Sequence, residues 1–160
     1  MRKIIIPTDF TVESLQLIEY AILNFPSTKL DIVLIAGFRL PDTRWGLTHF
    51  SERKQIAKQM SQEFNSNRRR IIVEHKDAIE RISFKLFCGI NSCAFQNFLE
   101  HIEAHDAIIP QDKKLQCRSN KWFDTTRFIK KNIENVIEVP FECKEEIPQK
   151  KYSLVSLFNL

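Results

Sequence analysis

The chain has 160 residues, enough for one domain that buries roughly 70% of the surface its unfolded form would expose. Its 43% hydrophobic and 28% charged residues are those of a folded globular protein, not of a disordered or low-complexity one. The net charge of +4 is mild and scattered among acids, which argues against a nucleic-acid binder, and no apolar run nears the ~20 residues of a membrane span.

Residues 3–7 (Lys3, Ile4, Ile5, Ile6, Pro7) read as a short buried strand stopped by proline. With so few apolar residues before Pro7 and Asp9, this start does not read as a secretory leader. Thr11 is placed to cap a first helix, whose Leu15, Ile18, Ile22 and Phe25 share a face and which Pro26 ends. Residues 31–38 are a continuous apolar run, as a strand covered on both faces requires.

A loop with Pro41, Asp42 and Gly46 leads to a second helix expected from about His49, with Phe50, Ile56, Ala57, Met60 and Phe64 inward. Residues 65–81 read equally as its continuation or as loop. The basic run Arg68-Arg69-Arg70 within them is expected to be a solvated helix face. Residues 82–87 give a third strand, ending at Cys88-Gly89. A third helix carries Phe95, Phe98, Leu99 and Ile102, residues 107–110 form a short fourth strand, and a fourth helix carries Phe128, Ile129 and Ile133. Residues 136–141 are the fifth strand.

Strands alternating with helices predict a doubly wound, Rossmann-like α/β fold: a mainly parallel five-stranded sheet with helices on both faces. Right-handed crossovers set the ends of strands one and four side by side, at the switch point where such folds hold ligands. The opening Ile6-Pro7-Thr8-Asp9-Phe10-Thr11 closely resembles the start of the universal stress protein family, whose first strand ends in a Pro-Thr-Asp-Phe-Ser type sequence. That resemblance implies an adenine nucleotide alpha hydrolase-like fold over residues 1–141, a cytoplasmic stress-response role, and a homodimer paired through the fifth strand. The pairing residues would be Val136, Ile137, Val139 and Phe141. Ligand-facing positions would be Pro7, Thr8, Asp9, Phe10, Ala36, Lys114 and Thr125.

Nucleotide-binding members of the family follow strand four with a glycine, two residues, a glycine, nine residues, then glycine and Ser or Thr. Glycines let the backbone approach phosphates, and a helix start offers N–H donors. Counted from Pro110, the three glycine positions fall on Gln111, Lys114 and Asp124, with Thr125 in the hydroxyl position. Asp124 suits a helix cap, and Phe123 with Phe128 has the spacing of a hydrophobic staple. A helix end capped by the protein's own carboxylate repels phosphate. ATP or AMP is therefore disfavoured and no cofactor is expected. The opposing reading is a rebuilt phosphate site using Lys113, Lys114, Arg118 and Lys121.

Asp9 reads either as a pocket wall or as a turn residue bonded to local backbone. His101 and His105 share a helix face, but no third ligand is fixed, so no metal is assigned. Cys88, Cys93, Cys117 and Cys143 form no C-x-x-C pair, and reduced thiols are the expectation. Residues 142–160 form a C-terminal extension, read as a linker and an extra strand, packing on its own domain or on a dimer mate. The leading expectation is a non-catalytic dimeric binding or regulatory module with no membrane contact. The alternative is an adenine-nucleotide-binding, slowly hydrolysing stress protein.

Overall fold

The computed structural model describes residues 1–111, 115 and 119–140. Five strands run parallel: β1 (Arg2–Pro7), β2 (Leu30–Phe38), β3 (Ile79–Phe87), β4 (Asp106–Pro110) and, after a short β5 (Trp122–Phe123), β6 (Asn135–Val139). Their order across the sheet is β3-β2-β1-β4-β6. The helices are α1 (Gln16–Asn24), α2 (Arg44–Thr48), α3 (Glu52–Gln59), α4 (Gln62–Glu74), α5 (Ser92–Ile102) and α6 (Thr126–Asn132).

Alternation along the central strands divides the core. Ile4, Ile6, Ile32 and Leu34 face one cluster, completed by Leu17 and Ile18 of α1, Ile56 of α3, and Phe64 and Ile71 of α4. Ile5, Val33, Ile35, Ala107 and Ile109 face the other, completed by Phe95 and Leu99 of α5 and Phe128 and Ile129 of α6. Ile4, Ile5 and Ile6 are fully buried. This two-sided burial is what a strand with no polar side chain between Lys3 and Thr8 requires.

Several expected boundaries move. The stretch read as one helix from His49 is two, α3 and α4, and the loop expected before it holds a further short helix, α2. Thr43 Oγ1 accepts from Gly46 N–H, Ser51 Oγ from Lys54 N–H and Ser61 Oγ from Phe64 N–H, so each hydroxyl starts a new helix. Ala57 is exposed on α3 instead of inward, and of that short helix only Ile56 is buried. Residues 65–74 continue α4, and β3 starts three residues before the expected Ile82, at Ile79. Arg69 and Arg70 are exposed as expected, whereas Arg68 is partly buried over the Phe84 ring. Thr11 Oγ1 accepts from Ser14 N–H at 3.3 Å, but it is not the expected helix cap: a 3-10 turn (Glu13–Leu15) capped by Val12 intervenes, and α1 begins only at Gln16, with Leu15 as its cap. The fifth parallel strand is β6, and it starts at Asn135. Phe141 and the extension at residues 142–160 lie outside the described residues.

A sixth strand was not foreseen. The two-residue β5 pairs antiparallel with the end of β2, Gly37 opposite Phe123 and Phe38 opposite Trp122, and Lys121 accepts from Arg39 N–H at 2.7 Å. β1 stops beside Ile35, where Thr8 N–H bonds the Ile35 carbonyl at 2.9 Å. On its other side Gly37 pairs with Phe87 of β3. β5 therefore occupies the lane that β1 vacates, next to β2 and above the carboxyl end of β1.

Candidate functional site

The crevice between the ends of β1 and β4 is the position that this topology offers to a ligand, since β1 and β4 are neighbours whose crossovers leave to opposite faces. On the β1 side the turn consumes its own polar groups. Thr8 Oγ1 accepts from Phe10 N–H at 3.1 Å and lies 3.2 Å from Ser14 Oγ. Asp9 Oδ1 accepts from Thr11 N–H at 3.1 Å and from Thr11 Oγ1–H at 2.6 Å. Thr8 and Asp9 are both buried. Phe10 follows in the left-handed region, φ 62°, with its ring stacked on Phe84 and edge-on to Phe64 and Trp122. Such a backbone is unusual for a bulky residue and is tolerated only where packing over-determines it.

The opposite side repeats the same turn. Asp124 Oδ1 accepts from Thr126 N–H at 2.9 Å and from Thr126 Oγ1–H at 2.6 Å, while Oδ2 accepts from Leu115 N–H at 3.2 Å. The carboxylate thus satisfies the first N–H of α6 and ties down the preceding loop. Phe123 and Phe128 meet edge-on with centroids 6.4 Å apart, the contact expected of a staple. Thr125, at the hydroxyl position, is buried, and its Oγ1 has no hydrogen-bond partner among the described residues. Lys113, Lys114 and Arg118 lie outside the described residues, and Lys121 is exposed.

Little room remains between the β1 turn and β5. The space lined by Thr8, Asp9, Phe10, Ala36, Gln59, Trp122 and Phe123 measures about 10 Å³. That is roughly one water molecule, against about 300–1,000 Å³ for ordinary ligand pockets. The filling comes from β5. Trp122 stands edge-on to Phe38 at 4.8 Å and to Phe10 at 5.5 Å, and Phe123 lies across Gly37. A Cβ at residue 37 would sit 2.4 Å from the Phe123 ring, so glycine there is what admits the strand. Thr8, Asp9, Phe10 and Ala36 are thus brought together, and Pro7 ends the buried strand below them. Trp122 was missed by sequence reasoning, and Phe123 was read only as a staple residue and not as part of a strand. Gly37 inside an apolar run was the available signal, because an isolated strand glycine marks close backbone approach.

Phe123 also lines a larger cavity of about 470 Å³ at the ends of β2 and β3, together with Arg39, Cys88, Gly89, Arg127 and Phe128. Burial, reinforced by the charge of Glu52, pushes the Cys88 thiol up to about 11, so it is almost wholly protonated and reacts slowly at neutral pH. Cys88 and Cys93 are free thiols; Cys117 and Cys143 lie outside the described residues. His101 Nδ1 lies 2.8 Å from the Asn97 carbonyl. Among the described residues no three His, Cys, Asp or Glu side chains gather as a metal set.

No family model matches the sequence, and no curated protein matches it. Solved structures do. The hypothetical protein MJ0577, determined as a test case of structural genomics, is 14% identical; the match covers 88% of this chain and 96% of that one, with a TM-score of 0.50. A protein of the universal stress protein family from Burkholderia pseudomallei is 11% identical over 86% of this chain and 95% of its own, TM-score 0.44. A universal stress protein in complex with cAMP is 12% identical over 88% and 98%, TM-score 0.47. At these identities the likeness is one of fold alone. The fold, as in MJ0577, is a parallel α/β sheet with helices on both sides.

Proposed function

We propose that the chain is a non-catalytic binding or regulatory module of the stress-response type, which does not hold ATP at the crevice between β1 and β4. The supporting observation is the packing on the β1 side of that crevice: about 10 Å³ is left between Asp9 and the Trp122–Phe123 strand. Both flanking carboxylates accept hydrogen bonds from their own turns, which engages the N–H groups of Thr11 and Thr126. Protein purified under native conditions and analysed by mass spectrometry should release no stoichiometric adenine nucleotide. Recovery of about one nucleotide per chain would sink this reading.

The module works as a cytoplasmic homodimer on this reading. Among the described residues β6 is the outermost strand at its end of the sheet, and one row of its backbone groups has no strand beside it there, as a partner strand would need. Val136 and Ile137 are only partly buried within one chain, while Val139 is buried. Two β6 strands meeting across a two-fold axis would cover the first two. Among the described residues no helix is long and apolar enough to cross a membrane. Replacing Ile137 with Asp should convert the dimer to monomer in sedimentation velocity; a wild-type chain that sediments as a monomer would remove the dimer from the account.

One observation favours the alternative, a nucleotide-binding protein with a rebuilt phosphate site. Thr125 Oγ1 is a buried hydroxyl without a partner among the described residues, in the position where relatives place Ser or Thr. If it serves a phosphate, Thr125→Val will abolish a nucleotide-induced stabilisation that the wild type shows.

A further inference from the structure

The cavity at the ends of β2 and β3 carries a different chemistry from the packed space beside β1. Arg39 and Arg127 both line it. Arg2, Arg70 and Arg81 each pair with a carboxylate elsewhere in the fold, but neither of these two does so among the described residues. Each guanidinium is instead set over a ring: Arg39 lies 5.3 Å from the centroid of Phe123, Arg127 5.6 Å from that of Phe128. Arg39 spends one donor, Nε, on the Asn120 carbonyl at 3.1 Å. A guanidinium has five N–H donors in a planar fork suited to a carboxylate, and stacking holds it in place.

The rest of the lining fixes the kind of ligand. Leu40 and Ile90 are 41% and 87% exposed at the cavity, a large apolar cost to water unless something covers them. Asp42 and Asp124 also line the space, so two cations face two carboxylates. Asp124 is already engaged by three donors, and Asp42 is exposed. Two cations facing two carboxylates are too few to balance a polyphosphate, whereas a single negative charge can be met by the two guanidinium groups. A volume of about 470 Å³ is within the range of small-molecule sites.

We propose that this cavity binds a small organic acid, its single carboxylate held by Arg39 and Arg127 and its apolar body lying on Phe123, Leu40 and Ile90. The site does not depend on the dimer or on the state of the β1–β4 crevice, although Phe123 is common to both spaces.

Two fluorescent probes of nearly one shape test it: the monoanion 8-anilinonaphthalene-1-sulfonate and its neutral parent, N-phenyl-1-naphthylamine. The folded wild-type chain should bind one anionic probe, at least about tenfold tighter than the neutral one. The Arg39→Gln, Arg127→Gln double variant should lose that preference while melting like the wild type. A second readout is alkylation by iodoacetamide resolved by mass spectrometry. The anionic probe should slow labelling of Cys88, which lines the cavity, and leave exposed Cys93 unchanged. Equal affinity for the two probes, no binding of either, or Cys88 protection that survives in the double variant would overturn the proposal.

Discussion

Two aspartates, Asp9 and Asp124, make the same local bargain on either side of the crevice: one carboxylate oxygen takes both the N–H and the O–H of the threonine two residues on. Neighbouring groups are less settled. Phe10 keeps a left-handed backbone, which costs on the order of 1–3 kcal/mol, because its ring anchors three aromatic contacts. Phe10→Ala should therefore cost about 3–5 kcal/mol in urea unfolding, the range for removing a buried Phe. The partnerless hydroxyl of Thr125 predicts the opposite sign: Thr125→Val keeps the shape, removes an unpaired buried group, and should leave the melting temperature unchanged or raise it. Cys88 gives a pH signature. Its folded value of about 11 exceeds the ordinary 9.0, so the folded chain holds its proton longer than the unfolded one. That contribution is whole below about pH 9 and is lost as pH rises through about 11; Cys88→Ala should fall less steeply across that window in parallel denaturation curves.

At the scale of elements, legibility tracked length and one-sidedness of burial. β1, β2 and β4 were readable because each is an unbroken apolar run with covered faces on both sides. The serines that split residues 44–74 into three helices were harder to see, since a hydroxyl inside an amphipathic pattern reads as a polar-face residue until its cap bond is known. The Phe123–Phe128 contact and the bond of Asp124 to the start of α6 were legible from their spacings, although the N-cap of α6 falls on Thr125 and not, as expected, on Asp124. β5 was not, since two residues carry no periodicity and its pairing with β2 is set by the distant Gly37. Gly37→Ala tests that dependence. The new Cβ meets ring atoms of Phe123 at 2.4, 2.5 and 2.7 Å, so β5 must shift, at a cost of about 1–3 kcal/mol in thermal or urea unfolding. Amide exchange of Arg39, whose N–H bonds Lys121, should quicken with it.

Over the whole molecule, the 13 phenylalanines of the chain mostly fill two aromatic clusters that meet at β5. Phe10, Phe38, Phe50, Phe64 and Phe84 gather with Trp122 on one side; Phe87, Phe95, Phe98 and Phe128 gather with Phe123 on the other. Trp122 and Phe123 are consecutive and point to opposite faces, as strand geometry requires. One short strand thus joins the two half-cores across the place where this topology leaves a ligand crevice. The fold and its switch point could be read from the opening strand and the alternation of elements. That aromatic side chains of β5 pack over the carboxyl end of β1 could not, because Trp122 and Phe123 are remote in sequence from the strand end they cover.

The central claim is that this packing has replaced nucleotide binding at the crevice. Thermal unfolding with and without millimolar Mg-ATP tests it most directly. A ligand at about 100 times its Kd stabilises the folded state by about 2.7 kcal/mol. For a chain of this length that moves Tm by roughly 5–10 °C, at about 2–4 °C per kcal/mol. The account predicts a Tm unchanged by Mg-ATP; a rise of several degrees that Thr125→Val abolishes would contradict it.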